Sequence, residues 1–520
     1  MITQVKDYIM VTIINNKIAK KFKLIILICI GFTLSACEDL NVVNTNEPDT
    51  ASVLASPEDV RTLLEGSYLS YWQTQRQVNI HISSLVAADQ FTCSWGNFYM
   101  RYISNEPRNP WDNTVSAPND QVSENFWNGS YAALSQVNDA VKLIKSGIQI
   151  GTNGKDNNSL LSFGYFMQGL IMGNIGMAFD KGYVVTENTD LSTLAFQPYQ
   201  TVVDSAVVAL EKAISIASNA DDFELSSGTI NGVVVNKQLI LALSHSYIAR
   251  FLALTPRNAA QNSAVDWQKV LDNAKEGITS DFGPTGNGSP YANATWYDEN
   301  FIYLVQPGWA RIDNRIINLM DPAYPKKYWS DGIAQVVHSG LNPGEAQSSD
   351  ARLLSDYEFL ASVDFRPDRG YYHFSNYRYK RFDDDMYLGY GKLYEFRLYE
   401  NELYKAEAYT MLQQNSKALD ILNNAGLPRK SRGQLTDLSA SSTKEQILAA
   451  IFYERDIELT SQAFMIGFYD MRRRDMLQKG QFLHYPVPGK ELESIGMENY
   501  TFGGVSNADG INTSNGGWFN

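Results

Sequence analysis

The residues best equipped for chemistry are spread in a way that excludes most of it. His81, His245, His338, His373 and His484 lie far apart, none within three to five positions of another, so no paired-imidazole metal site can be read. Cys29, Cys37 and Cys93 form no metal-ligand pair. No HExxH helix, G-x-S-x-G elbow or phosphate-binding G-x-x-x-x-G-K loop occurs. Gly151-Thr152-Asn153-Gly154-Lys155 and Gly389-Tyr390-Gly391-Lys392 read as loops with chance lysines, and Asp383-Asp384-Asp385 lacks EF-hand spacing and reads as a solvated turn. No cofactor or metal site is expected. Aromatic side chains are the remaining candidates. A flat indole or phenol stacks on the apolar C–H face of a sugar while neighbouring amides bond its hydroxyls. Trp95, Asn97, Phe98, Tyr99 and Tyr102 cluster in a polar stretch with Gly96 among them, and Trp296-Tyr297 and Pro307-Gly308-Trp309 are similarly set. Trp95, Asn97, Phe98, Tyr99, Trp296 and Trp309 are therefore the candidate ligand residues, against the alternative that each is a packed loop anchor. Phe163, Phe166 and Phe179, at helical spacing, read as core.

The N-terminus directs the chain. Lys17, Lys20, Lys21 and Lys23 precede an apolar run from Leu24 to Phe32, closed by Leu34-Ser35-Ala36-Cys37. This is the pattern of a secretory signal peptide over 1–36, with Met1 or Met10 as the start, and the run is shorter than the ~20 residues of a membrane span. The closing tetrad resembles a bacterial lipobox, which implies cleavage before Cys37 and its acylation. A triacylated Cys37 would hold the protein to a membrane, at ~0.8 kcal/mol per buried methylene. Glu38 and Asp39 resemble a surface-export signal of Bacteroidetes lipoproteins; an ordinary polar tether is the alternative. Residues 37–56 read as lipidated N-terminus and tether. Cys93 is left alone, so no intramolecular disulfide forms in the mature chain. Without the five lysines and one aspartate of residues 1–36, 38 basic and 56 acidic residues remain, a net charge of −18. That balance argues against nucleic acid and suits a neutral ligand. A glycoside hydrolase needs only two carboxylates, and with so many acids no pair stands out.

The elements that must position these residues are mostly helices. Ser56-Pro57-Glu58-Asp59 marks a helix start, with the helix running to about Trp72. Val203, Val207, Leu210 and Ile214, then Leu239, Leu243, Tyr247 and Phe251, recur at three- and four-residue spacing and predict helices over 199–218 and 236–254, the second stopped by Pro256. Similar patterns cover 121–147, 158–180, 264–278, 393–413 and 416–424, and Thr443-Lys444-Glu445-Gln446 forms a capping box before another helix. Short polar joins group them in pairs, 121–147 with 158–180, 199–218 with 235–254, and 393–413 with 416–424. The expected fold is mostly α, of stacked tetratricopeptide-like helix pairs. Residues 89–120 and 281–392 are irregular, the latter an aromatic-rich cap with a few short strands, and 501–520 reads as a Gly/Asn/Ser-rich surface tail.

Three C-terminal blocks carry a family resemblance. Phe396-Arg397-Leu398-Tyr399-Glu400-Asn401-Glu402-Leu403-Tyr404-Lys405-Ala406-Glu407-Ala408 resembles the "R-x-x-E-x-x-L-x-x-AEA" helix of the SusD/RagB family of Bacteroidetes. Tyr453-Glu454-Arg455-Asp456-Ile457-Glu458-Leu459, continuing to Phe468-Tyr469-Asp470-Met471-Arg472-Arg473, resembles "ER-x-x-EL…R-x-x-DLRR", and Tyr485-Pro486-Val487-Pro488 through Glu491 resembles "PIP-x-x-E". Ala463-Phe464-Met465-Ile466 departs from the family's acidic-glycine stretch, and its closing "N-x-x-L-x-QN" is not evident. Arg455 and Glu458, three apart on one helix, read as a stabilising pair. The resemblance implies a single SusD-like domain over 57–520, with a helical scaffold about 57–280 and 393–500 and an irregular ligand-side region about 281–392. It implies no enzyme. Instead it implies an outer-membrane lipoprotein facing the exterior that captures an oligosaccharide and passes it to a SusC-like TonB-dependent transporter. A peptide ligand, as in the RagB branch, is the alternative; a glycoside hydrolase or a surface adhesin are others.

Overall fold

Pro57 opens the first helix, where proline's missing N–H costs nothing and Glu58 and Asp59 face the positive end of the dipole. In the computed structural model this helix, Pro57–Arg76 (α1), runs one turn beyond its expected end at Trp72. The structure describes residues 56–520 except 78–79, 94, 106, 118–119, 290–292, 307, 309, 327–343, 362–373, 385–388, 506–513, 515 and 519–520. Cys37, the leader and the tether lie outside the described residues, as do His338, His373, Asp385 and Trp309.

The helices follow the periodicity. Ile80–Ala87 (α2), Asp120–Lys145 (α3), Asn157–Ala178 (α4), Tyr199–Asn219 (α5), Lys237–Leu254 (α6) and Trp267–Lys275 (α7) precede the irregular stretch. Leu398–Met411 (α8), Asn415–Leu422 (α9), Lys444–Ile457 (α10) and Ile466–Arg473 (α11) follow it. The capping box forms where the sequence placed it, and a further cap appears at Asn236. Asn236 accepts from the Leu239 amide at 2.9 Å, and Thr443 and Gln446 close a reciprocal capping box.

Stacking is continuous and does not stop at pairs. α1 packs on α3, α3 on α4, α4 on α5, α5 on α6, α6 on α7 and α7 on α8. The most extensive contact, α4 with α5, crosses what the sequence read as a boundary between pairs. α4 explains this: nearly all its residues are buried, Phe163, Phe166 and Met167 among them. A helix that is apolar all round has to be covered on several sides.

The stretch 281–392 is irregular, as expected, and holds short two-stranded ribbons: Thr285–Asn287 with Tyr390–Lys392, Tyr357–Phe359 with Tyr377–Tyr379, and Arg311–Ile312 with Phe91–Thr92. Among the described residues strands pair only two by two, so no closed sheet exists and the fold is mostly α. One expectation is corrected. The described residues of the C-terminal stretch do not form a surface tail. Phe502 and Trp518 are buried, Gly503 bridges to Pro110, and the Trp518 indole donates to Asp89 Oδ2 at 2.8 Å. The Gly/Asn/Ser composition reflects tight turns holding aromatic anchors.

The motif blocks form buried ionic clusters. Arg250 donates to both oxygens of Glu400 at 2.7 and 2.8 Å. Arg473 donates to both oxygens of Glu407 at 2.8 and 2.9 Å. Arg455 pairs with Glu407 at 2.6 Å and with Asp470 at 2.9 Å. Its expected partner Glu458 faces elsewhere, toward Arg381 and Arg432, each at 2.7 Å. The intrahelical pair is thus replaced by contacts between elements: Glu458 stands at the C-cap of the helix, and arginines and carboxylates of other elements meet each of the two side chains.

Candidate ligand-binding site

The aromatic stretch after Phe91–Thr92 is held by short-range bonds. The Trp95 amide donates to Cys93 Sγ at 3.3 Å, the Arg101 amide to Trp95 O at 3.0 Å, and the Ser83 hydroxyl to Phe98 O at 2.5 Å. Two successive aromatic residues, Phe98 (φ 53°) and Tyr99 (φ 61°), occupy the left-handed region. Bulky residues rarely adopt it, and such strain persists only where surrounding contacts impose it. Here the contacts are visible. The Phe98 ring meets Tyr303 edge-on with centroids 4.5 Å apart, and Tyr99 lies between Tyr102 (4.8 Å) and Trp111 (4.9 Å).

This backbone presents Trp95 outward. The residue is 39% exposed, and its indole N–H donates to Gly308 O at 3.1 Å, which restrains the ring. Beneath it lies a hollow of about 220 Å³ whose described lining is Trp95, Asn97, Met100 and Tyr303. None of these four side chains is charged at neutral pH. The hollow therefore offers a flat indole, a carboxamide, a phenol and a thioether, which is chemistry for a neutral, hydroxylated ring.

The sequence candidates separate. Trp95 and Asn97 come together at the hollow, while Phe98 is outside its described lining and packs against Tyr303 of that lining. Tyr99 is corrected to a packed anchor, 8% exposed between two rings. Trp296 is corrected likewise: 6% exposed, it stacks on Tyr68 and tilts against Trp72 of α1, which leaves its ring no open face. Trp309 lies outside the described residues. Met100 and Tyr303 were missed. Met100 is not aromatic, and Tyr303 ends the five-residue helix Glu299–Tyr303, too short for a period to show.

Two carboxyls with displaced pKa values, Asp298 and Glu299, lie at the start of the helix that ends in Tyr303. Burial, with the charge of Asp298 added, pushes the Glu299 carboxyl up to about 7. Burial pushes Asp298 up to about 6 against the pull of Arg76. Among the described residues no group of three His, Cys, Asp or Glu side chains is placed to hold a metal, and no helix is long and apolar enough to cross a membrane.

No family model matches the chain, and no curated protein does. Solved structures do match in fold. A SusD homolog from Bacteroides thetaiotaomicron aligns over 87% of this chain and 97% of its own, at 13% identity and a TM-score of 0.55. Surface glycan-binding protein A from Bacteroides uniformis aligns over 84% and 98%, at 14% identity and 0.54. A SusD superfamily protein from Bacteroides vulgatus aligns over 80% and 88%, at 14% identity and 0.52. The chain has the SusD-like fold, as the three motif blocks led one to expect.

Proposed function

We propose that the protein is a non-catalytic, cell-surface lipoprotein that captures a neutral oligosaccharide and hands it to a SusC-like TonB-dependent outer-membrane transporter. The observation that carries the reading is the Trp95 ring, exposed yet pinned at its indole N–H, over a hollow whose described lining carries no charge, in a strained aromatic loop. A preset aromatic face binds a sugar ring without first having to be ordered, which saves the entropy of immobilising a side chain. The similar protein from Bacteroides uniformis is named a surface glycan-binding protein, which supports the same ligand class. Cys37 supplies the anchor and Glu38-Asp39 the outward signal in this reading. Modest affinity suits the role, since a ligand held too tightly would not be passed on.

Calorimetric titration of the mature protein tests it, with malto-, cello-, manno-, xylo- and galacto-oligosaccharides in one arm and a peptide digest in the other. Saturable binding of one neutral series, lost in Trp95→Ala, is the expected result. Binding of peptides alone would replace the glycan with a RagB-like cargo. Release of reducing ends from a polysaccharide, abolished by changing a carboxylate pair, would make the protein a hydrolase. Normal uptake with lost surface attachment in a deletion strain would make it an adhesin.

A further inference from the structure

A second surface feature lies between α1 and α3. It is an open groove of about 680 Å³, with Gln73 and Gln77 on one bank, Asn125, Asn128 and Gln136 on the other and Tyr297 at its side. No residue of its described lining is charged, in a chain where 19% of residues are. An exposed helix face that serves only solubility ordinarily carries Lys and Glu, which are better helix formers. Asn125 and Asn128 are both exposed in the interior of α3, far from either cap. There asparagine costs on the order of 0.7 kcal/mol relative to alanine. Five carboxamides and a phenol along an uncharged trough present paired donors and acceptors, the set that hydroxyl groups need.

One segment of chain supplies a residue to both the groove, Tyr297, and the Trp95 hollow, Tyr303. Gln77 Nε2 donates to Thr295 O at 3.0 Å, and the Trp72 indole donates to Tyr297 O at 3.0 Å, so α1 holds this segment at the groove. Asp298 then caps Glu299–Tyr303, and Tyr303 lines the hollow. Four helical steps of ~1.5 Å and two extended steps of at most ~3.6 Å hold Tyr297 and Tyr303 within about 13 Å of each other. The hollow alone is smaller than the ~300–1,000 Å³ of ordinary ligand pockets, so a ligand seated there has room to continue beyond it.

We infer that the α1–α3 groove is a second saccharide subsite, which takes the continuation of a neutral glycan chain whose one ring stacks on Trp95. This rests on the glycan reading above and adds that the ligand is recognised by length. The test is affinity against chain length, with the neutral series bound by the wild type run from disaccharide to octasaccharide. The probe variant is Asn125→Ala with Asn128→Ala, which raises helix propensity and so leaves α3 folded; circular dichroism and thermal melting confirm it. With two neutral hydrogen bonds lost, affinity for the longest members falls about tenfold while that for the shortest stays within about twofold. Gln73→Ala, from the opposite bank, shows the same length dependence. Equal binding of every length by wild type and groove variants, with Trp95→Ala still abolishing it, overturns the second subsite alone. Failure of the wild type to bind any oligosaccharide removes both readings together.

Discussion

Arg352 grips Glu454 with two parallel hydrogen bonds, Nη1 to Oε2 at 2.8 Å and Nη2 to Oε1 at 2.9 Å, and both side chains are wholly shielded from solvent. The pair joins residues 102 positions apart. It ties the irregular 281–392 region to α10 of the scaffold, so the geometry of the loop-rich side is set by charges inside the helical one. Asp350 (2.8 Å) and Glu458 (3.2 Å) share the same guanidinium.

Arg352→Leu follows as the costliest change in this cluster. It leaves three buried carboxylates without their common counter-ion, and breaking a buried pair from one side costs ~3–5 kcal/mol. Glu454→Leu costs less, since Arg352 keeps Asp350 and Glu458. Urea unfolding of both variants measures the order; a larger loss for Glu454→Leu would contradict it.

The helices were legible because their apolar residues recur at 3.6-residue spacing and their ends carry Pro57, Asn236 and Thr443. α2 was not: Ile80 to Ala87 is buried on every side, so no polar face marks a period. The partners of the motif charges were not legible either. Glu454 and Arg455 stand out in the sequence, but nothing local to them points to Arg352 or Asp470. The same limit applied to the site. Trp95 and Trp296 look alike in a polar, aromatic-rich stretch, and only packing against Tyr68 and Trp72 separates the anchor from the exposed ring.

Two glycines on facing helices should respond oppositely to the same change. A Cβ at Gly66 in α1 meets nothing within 4 Å, so Gly66→Ala stabilises by ~0.4–1 kcal/mol through a less flexible unfolded chain. A Cβ at Gly129 in α3 would lie 2.5 Å from Thr74 Oγ1 of α1, and both residues line the groove. Gly129→Ala therefore destabilises by ~1–3 kcal/mol through overpacking. Melting temperatures of the two variants, moving in opposite directions, check both.

Glu299 gives stability a pH dependence with a definite sign. Its folded pKa, about 7, lies above the ordinary 4.5. Between those values the folded state keeps a proton that the unfolded state has released, so stability falls as pH rises through this window. Glu299→Gln removes the ionisation. The variant should match the wild type near pH 4 and melt higher at about pH 8, and an equal difference at both pH values would refute the assignment.

Cys37→Ser tests the anchor apart from the ligand site. Without the thiol there is no acylation, and the protein should move from the membrane to the soluble fraction or accumulate with its leader uncleaved. Fractionation of labelled cells reads this directly, and unchanged membrane association would rule out lipid attachment at Cys37.

Trp95→Ala addresses recognition itself. Trp95 is partly exposed and its indole N–H bonds Gly308 O, whereas the neighbouring Tyr99 is enclosed by Tyr102 and Trp111. Truncating a fully buried tryptophan costs ~3–5 kcal/mol of stability, and an exposed one should cost far less. Loss of a stacking face costs ~1–3 kcal/mol of binding, the scale of an interface hot spot. Trp95→Ala should therefore weaken binding about ten- to hundredfold with a small change in melting temperature. Trp95→Phe keeps an aromatic face but loses the bond that restrains the ring, so it should fall between the two. Melting and titration of the same preparations separate the roles: a large drop in melting temperature with unaltered affinity per folded molecule would make Trp95 a structural anchor like Trp296.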